Sequence, residues 1–112
     1  MNPKYYFMKI SLITACLAGV AHSKMAATAL KKEALRRGHE IYIEEQGGHK
    51  ISVKLTPEQI IKSDIVIIAK MITISGKKRF ENKITLDVSV NKAVRDPISI
   101  LNQAEELISQ TS

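Results

Sequence analysis

Apolar positions follow two rhythms along this chain, and their alternation predicts its elements. Met8 to Ala15 is a short apolar run with β-branched residues, which reads as a strand. Ser23 then stands as a helix N-cap, and Lys24 to Arg37, rich in Ala, Leu and Lys, reads as a helix. Met25, Ala26, Ala29, Leu30 and Ala34 supply its apolar side, with Glu33 interrupting the stripe. Gly38 ends the helix, since glycine tolerates a left-handed backbone. Ile41, Tyr42 and Ile43 form a second strand, and Gln46-Gly47-Gly48-His49 a loop. Thr56-Pro57-Glu58-Gln59 joins a capping threonine, a proline at the first helical position and a glutamine at the capping-box position. A short helix therefore starts there and ends near Ser63.

The continuous apolar run Ile65-Val66-Ile67-Ile68-Ala69 suits a strand buried on both faces. Ser75 to Asn82 is polar and contains Gly76, so it reads as a loop with room for one helical turn. Ile84, Leu86 and Val88 alternate with polar residues, as in a strand nearer the edge. Asp96-Pro97 opens a last helix whose Ile100, Leu101, Ala104, Leu107 and Ile108 keep a 3.6-residue stripe. Strands separated by helical crossovers imply a parallel sheet covered on both faces. The expected architecture is a single α/β domain: a four-stranded parallel sheet, Rossmann-like, with helices on both faces. Met8-Lys9-Ile10 would make a natural start, so residues 1–7 read as a flexible extension and 8–112 as the domain.

Composition narrows the class of function. At 112 residues, 45% hydrophobic and 25% charged, the chain fits one compact globular domain. It has no Trp, so its core rests on Ile, Val, Leu and Ala. The formal net charge of +6 admits nucleic acid, a membrane surface or an acidic protein partner. The cations are spread over Lys31, Lys32, Arg36 and Arg37 and over Lys77, Lys78 and Arg79, without interleaved aromatic residues as base-stacking platforms. Nucleic acid is therefore not expected as a partner. One cysteine allows neither an internal disulfide nor a cysteine-based metal cluster, and His22, His39 and His49 are too widely spaced for a local ligand motif. No metal or other cofactor is expected. Ile13-Thr14-Ala15-Cys16 has the look of a lipoprotein cleavage site, but Lys9 leaves only Ile10 to Ala15 uninterrupted, short of the roughly 7–15 residues of a signal core. No stretch approaches the roughly 20 apolar residues of a membrane-crossing helix.

In open parallel α/β sheets, ligands bind at the carboxyl ends of the strands. Cys16 follows the first strand at that place. The nucleophilic form of cysteine is the thiolate. Unpaired backbone N–H groups in the following loop and at the helix N-terminus can stabilise a thiolate, and then a phosphate bound to it. Gly19 lets the backbone curl around such oxygens without a Cβ in the way, and His22 and Ser23 can donate further hydrogen bonds. The other reading of a lone cysteine is a small buried apolar residue ahead of an ordinary strand-to-helix turn.

Cys16-Leu17-Ala18-Gly19-Val20-Ala21-His22-Ser23-Lys24-Met25-Ala26-Ala27 resembles the active-site loop of fructose-type IIB domains of the sugar phosphotransferase system. There the loop usually reads Cys-Pro-Thr-Gly-Ile/Val-Ala-His-Thr, followed by a Met-Ala-Ala helix. Gly38-His39-Glu40-Ile41, Glu44-Glu45-Gln46-Gly47, Leu55-Thr56, Arg79-Phe80, Val88-Ser89-Val90 and Asp96-Pro97 extend the resemblance over residues 8 to 110. The resemblance implies a phosphoryl carrier with a phosphatase-like phosphate loop. Cys16 would be the phosphorylated residue, with Leu17, Ala18, Gly19, Val20, Ala21, His22 and Ser23 as the loop and His22 orienting thiolate or phosphate. The implied partners are a IIA phosphohistidine donor and a IIC membrane permease that holds a fructose-like sugar. The implied place is the cytoplasm, at the inner face of the membrane through IIC.

The chain departs from the pattern. Leu17 and Ala18 replace Pro-Thr, Val53 stands where the family often has asparagine, Met71 where it often has aspartate, and Lys50 where it has a second glycine. These changes bear on sugar, partners and transfer rate, and they motivate an alternative: a non-catalytic IIB-like regulatory or interaction module. A low-molecular-weight tyrosine phosphatase also places a cysteine after its first strand. That chemistry needs an arginine six positions on to clamp phosphate, and His22 occupies that position.

Overall fold

The computed structural model describes residues 7–16, 21–47, 50–51 and 53–111. Five strands make one sheet: β1 (Lys9–Cys16), β2 (Glu40–Gly47), β3 (Lys50–Ile51), β4 (Ile65–Lys70) and β5 (Thr85–Ser89). Their spatial order is β3-β2-β1-β4-β5. β2, β1, β4 and β5 run parallel, as the alternation of strands and helices predicts. The two-residue β3 adds an antiparallel edge, pairing Gly47 with Lys50 and Gln46 with Ile51. The expected Gln46-to-His49 loop is thus corrected: Gln46 and Gly47 are the last residues of β2, held by ladders to β1 and β3.

Helices α1 (Ala21–Arg36), α2 (Pro57–Lys62), α3 (Val90–Arg95) and α4 (Pro97–Thr111) cover the sheet, with a 3-10 turn at Lys77–Phe80. Because side chains alternate across a strand, each central strand feeds two cores. Ile10, Leu12, Ile65, Ile67 and Ala69 pack with Ala26, Ala27, Leu30 and Ala34 of α1, Val90 and Ala93 of α3, and Ile100, Leu101 and Ala104 of α4. On the other face Ile13, Ala15, Val66 and Ile68 pack with Leu55, Ile60, Ile74 and Phe80. Burial on both faces is why Ile65–Ala69 reads as an unbroken apolar run.

The helix ends follow their local chemistry. The Gln59 N–H donates to Thr56 Oγ1 at 3.1 Å, and the Thr56 N–H donates to Gln59 Oε1 at 2.9 Å, closing the capping box. At the end of α1, Gly38 has φ +88°. Its N–H donates to Leu35 O at 3.0 Å and the His39 N–H to Ala34 O at 3.0 Å, the paired bonds of a Schellman ending. A Cβ on Gly38 would also lie 2.8 Å from the Phe7 ring, so space and backbone both require glycine. Two expectations for α1 are corrected. Met25 is exposed, and Ser23, Ala26, Ala27, Leu30 and Ala34 form the buried stripe. Ser23 is not the N-cap: the helix begins at Ala21, and the Ser23 side chain turns inward.

Candidate functional site

β1 lies between β2 and β4, with Ala15 in register with Gln46 on one side and Lys70 on the other. From β1 the chain crosses through α1 to β2, then returns through α2 to β4 on β1's opposite flank. The crossovers thus diverge at the carboxyl end of β1, the kind of switch point where such sheets bind ligands. Cys16 is the last residue of that strand and is fully buried.

One turn into α1, Ser23 faces it. Ser23 Oγ lies 3.1 Å from Cys16 Sγ and 3.3 Å from the Gln46 carbonyl oxygen. A hydroxyl has one proton to give and lone pairs to accept with. Opposite a neutral thiol, it donates to the Gln46 carbonyl and can accept from the S–H. Opposite a thiolate, it donates to sulfur. The arrangement therefore accommodates both states of Cys16 with a rotation of one hydroxyl. The inward side chain of Ser23, which made it a poor N-cap, is the one that reaches the sulfur.

His22, on the opposite side of the same turn, is exposed and lines an open groove with Met25, Asn91, Val94 and Arg95. Ala21, His22 and Ser23 are thus helical residues rather than loop residues. Leu17, Ala18, Gly19 and Val20 lie outside the described residues. Val53 and Met71 are both exposed, 73% and 53% respectively.

The second structured feature of this edge carries no role in the sequence reading. Glu44 on β2 is fully buried and accepts two parallel hydrogen bonds from Arg79, Nη1 to Oε1 at 2.8 Å and Nη2 to Oε2 at 3.0 Å. Its Oε1 also accepts from the Leu55 N–H at 2.9 Å, and its Oε2 from Gln46 Nε2 at 2.8 Å. Burial pushes the Glu44 carboxyl up. The bonds from Arg79, Leu55 and Gln46, with the Arg79 charge, outweigh it and hold the group below the ordinary carboxylate range. Gln46 Oε1 in turn accepts from the Ser75 N–H at 2.9 Å. Glu44, Gln46 and Arg79 thus gather the end of β2, the approach to α2 and the segment after β4. Only their separation in sequence hid this: Glu44 and Arg79 are 35 positions apart. The available signal was a run of three polar residues, Glu44-Glu45-Gln46, closing a strand.

Among the described residues, no group of three or more His, Cys, Asp or Glu side chains is placed to hold a metal ion. No helix among them is long and apolar enough to cross a membrane.

Known proteins resemble the chain in sequence and in fold. Residues 11–109 match the family model described as the lactose/cellobiose-specific IIB subunit of the phosphotransferase system. The fructose-like EIIB component 2 of Escherichia coli K12 is 38% identical over 104 residues, 93% of this chain and 98% of the relative. The fructose-like EIIB component 1 of the same strain is 33% identical over 90% of this chain and 94% of its own length. Among solved structures, a domain of a fructose-specific IIABC component from Borrelia burgdorferi superimposes with a TM-score of 0.84 at 37% identity, covering 90% of this chain and 96% of that one. A protein described as a predicted fructose-specific IIB from Escherichia coli gives 0.87 at 29% identity, covering 92% and 91%. With these matches over almost the whole of its length, the chain belongs to the IIB family of the phosphotransferase system.

Proposed function

We propose that this chain is the phosphoryl carrier of a fructose-like phosphotransferase system, and that Cys16 carries the phosphoryl group. The observation that supports this most is the Ser23 hydroxyl 3.1 Å from the Cys16 sulfur, at the carboxyl end of the central strand. In the first step the Cys16 thiolate attacks the phosphorus of a phosphohistidine on a IIA partner. The S–P bond forms, the P–N bond breaks, and the electron pair returns to the imidazole. In the second step a hydroxyl oxygen of a sugar held by a IIC partner attacks the same phosphorus. The O–P bond forms, the hydroxyl proton leaves to a base, and the S–P bond breaks to restore the thiolate. Phosphoryl transfer asks mainly for positioning and charge stabilisation. Ser23 supplies one donor in both steps, on the sulfur when it is anionic or on a phosphoryl oxygen when it is esterified. Leu17 to Val20 and the first N–H groups of α1 supply the others in this reading, and His22 orients the phosphoryl group from the rim. Sugar choice lies with the membrane partner. The relatives' names speak of fructose-like systems, so that is the sugar class proposed. The carrier works in the cytoplasm against the inner face of the membrane.

The test is intact mass after incubation with phosphoenolpyruvate, the general phosphotransferase proteins and a fructose-type IIA. Wild type is expected to gain one phosphoryl group and Cys16→Ser none. Equal labelling of the serine variant would overturn the assignment of Cys16. A second reading draws on Val53 and Met71, exposed apolar side chains in the segments that follow β3 and β4. They suit a protein contact, so the chain would act as a regulatory IIB-like module. Phosphoryl uptake with no onward transfer to any sugar is the result that favours it.

A further inference from the structure

Two stretches that the family resemblance picks out, Glu44 to Gly47 and Arg79-Phe80, meet in space, and they meet behind the partner of the cysteine. Gln46 is the shared residue. Its backbone oxygen accepts from Ser23, whose hydroxyl touches Cys16. Its side chain is held at both ends: Nε2 donates to Glu44 Oε2 at 2.8 Å and Oε1 accepts from the Ser75 N–H at 2.9 Å. Arg79 locks this arrangement from outside, with both Nη atoms on the buried Glu44 carboxylate and Nε on the Gly76 carbonyl at 2.8 Å. Gly76 makes room for that fold-back. Its φ is +73°, and a Cβ there would lie 2.6 Å from Arg79 Nε.

A buried ion pair is a poor way to gain stability, because desolvation consumes most of the attraction. Two parallel bonds from a planar guanidinium do fix geometry. We propose that Arg79, Glu44 and Gln46 form a positioning clamp that sets the Gln46 carbonyl, and through it the Ser23 hydroxyl, at the Cys16 sulfur. None of the three touches the reacting atoms. They act through Ser23. The carbonyl and the sulfur compete for the one Ser23 proton, so a Gln46 carbonyl that moves away from the hydroxyl leaves that proton to the thiolate. The inference deepens the carrier reading, but its test does not depend on that reading.

The chain has a single cysteine and no Trp, so thiolate absorbance near the far-ultraviolet edge reports Cys16 alone against a tyrosine background. Thiolate formed at a fixed, mildly alkaline pH is measured in wild type, Ser23→Ala, Gln46→Leu and the double variant. Ser23→Ala is expected to lower the thiolate fraction about tenfold, as for a lost hydrogen bond to a charged group. Gln46→Leu is expected to raise it about threefold, as for a competing acceptor loosened. The decisive number is the coupling: in the Ser23→Ala background, Gln46→Leu should change nothing further. If Gln46→Leu leaves the thiolate fraction at or below the wild-type value, or raises it equally with and without Ser23, the clamp does not act through Ser23 and the proposal fails. Arg79→Lys, which keeps the charge and loses the fork, takes the place of Gln46→Leu in the same cycle if that variant does not fold. Phosphoryl uptake is measured in parallel. If wild type itself takes up none, the carrier reading falls while the coupling result still decides the clamp.

Discussion

The two ends of the sheet are each fastened by arginine on carboxylate, yet the fastenings hold different things. At the amino end, the Met8 N–H donates to His39 Nδ1 at 3.0 Å, which leaves Nε2 to donate to Glu105 at 2.8 Å. Arg37 joins Glu105 at 3.0 Å and Glu33 at 2.7 Å, and Arg36 completes the set on Glu33. This network ties the start of β1, the end of α1 and α4, all well removed from the cysteine. At the carboxyl end, Glu44 and Arg79 tie segments to one another around Cys16 and Ser23. The same pairing of charges thus serves assembly at one end and site geometry at the other. What decides the role is the end of the strands on which it lies, because function in parallel sheets gathers at the carboxyl end.

The largest effect that separates the ends is expected from Arg79→Met. It strands the fully buried Glu44 carboxylate and should destabilise the fold by about 3–5 kcal/mol, as broken buried pairs do. Urea unfolding of the variant measures it, and a loss below 1 kcal/mol would mean that Glu44 takes a proton or finds water at little cost. A smaller effect is expected from Glu33→Gln, and it depends on pH. The hydrogen bond from Arg36 lowers the Glu33 carboxyl to about 2, with Arg37 adding to it against the cost of burial. A carboxyl depressed in the folded state stabilises above its unfolded value and loses that contribution as pH falls through its folded one. Wild type should therefore exceed Glu33→Gln in stability near neutrality, and the gap should close between pH of about 4.5 and about 2. Thermal melts across that range are the check, and a gap that widens in acid would reverse the sign. Phosphoryl uptake by Glu33→Gln should equal that of wild type near neutrality. The smallest effect belongs to Arg36→Ala. Its side chain is 66% exposed and Arg37 still serves Glu33, so the variant should unfold in urea at the wild-type midpoint.

Much of the fold was legible because its signals are local. The double burial of Ile65–Ala69, the capping box of Thr56 and Gln59 and the glycine ending of α1 each announce themselves within a few residues. What failed to show depends on distant partners or on competing local preferences. The sequence reading places no helix between the strand of Ile84, Leu86 and Val88 and the one opened by Asp96-Pro97, yet Ser89 Oγ accepts from the Lys92 N–H at 3.0 Å and starts α3 at Val90–Arg95. Ser23 reads as a cap because serine caps helices, but Cys16 and Gln46 compete for its hydroxyl. Glu44 is a charged residue in a buried strand and makes sense only beside Arg79. For the site itself, the sequence points at Cys16 from its place where the first apolar run ends and at its neighbours by resemblance. Residues 17–20 of that reading fall outside the described chain.

β1, α1 and β2 are consecutive, so the cysteine, Ser23 and Gln46 all belong to the first strand–helix–strand unit of the chain. β4 reaches β1 only by closing a much longer loop, and loop closure costs more entropy as the loop lengthens. Loop-closure entropy therefore favours an assembly order in which sulfur, hydroxyl and carbonyl come together first and Ser75 and Arg79 arrive with the second half of the sheet. On this order the Cys16 sulfur is enclosed by near neighbours while the rest of the chain is still being gathered, and the arginine closes over a site whose parts are already adjacent.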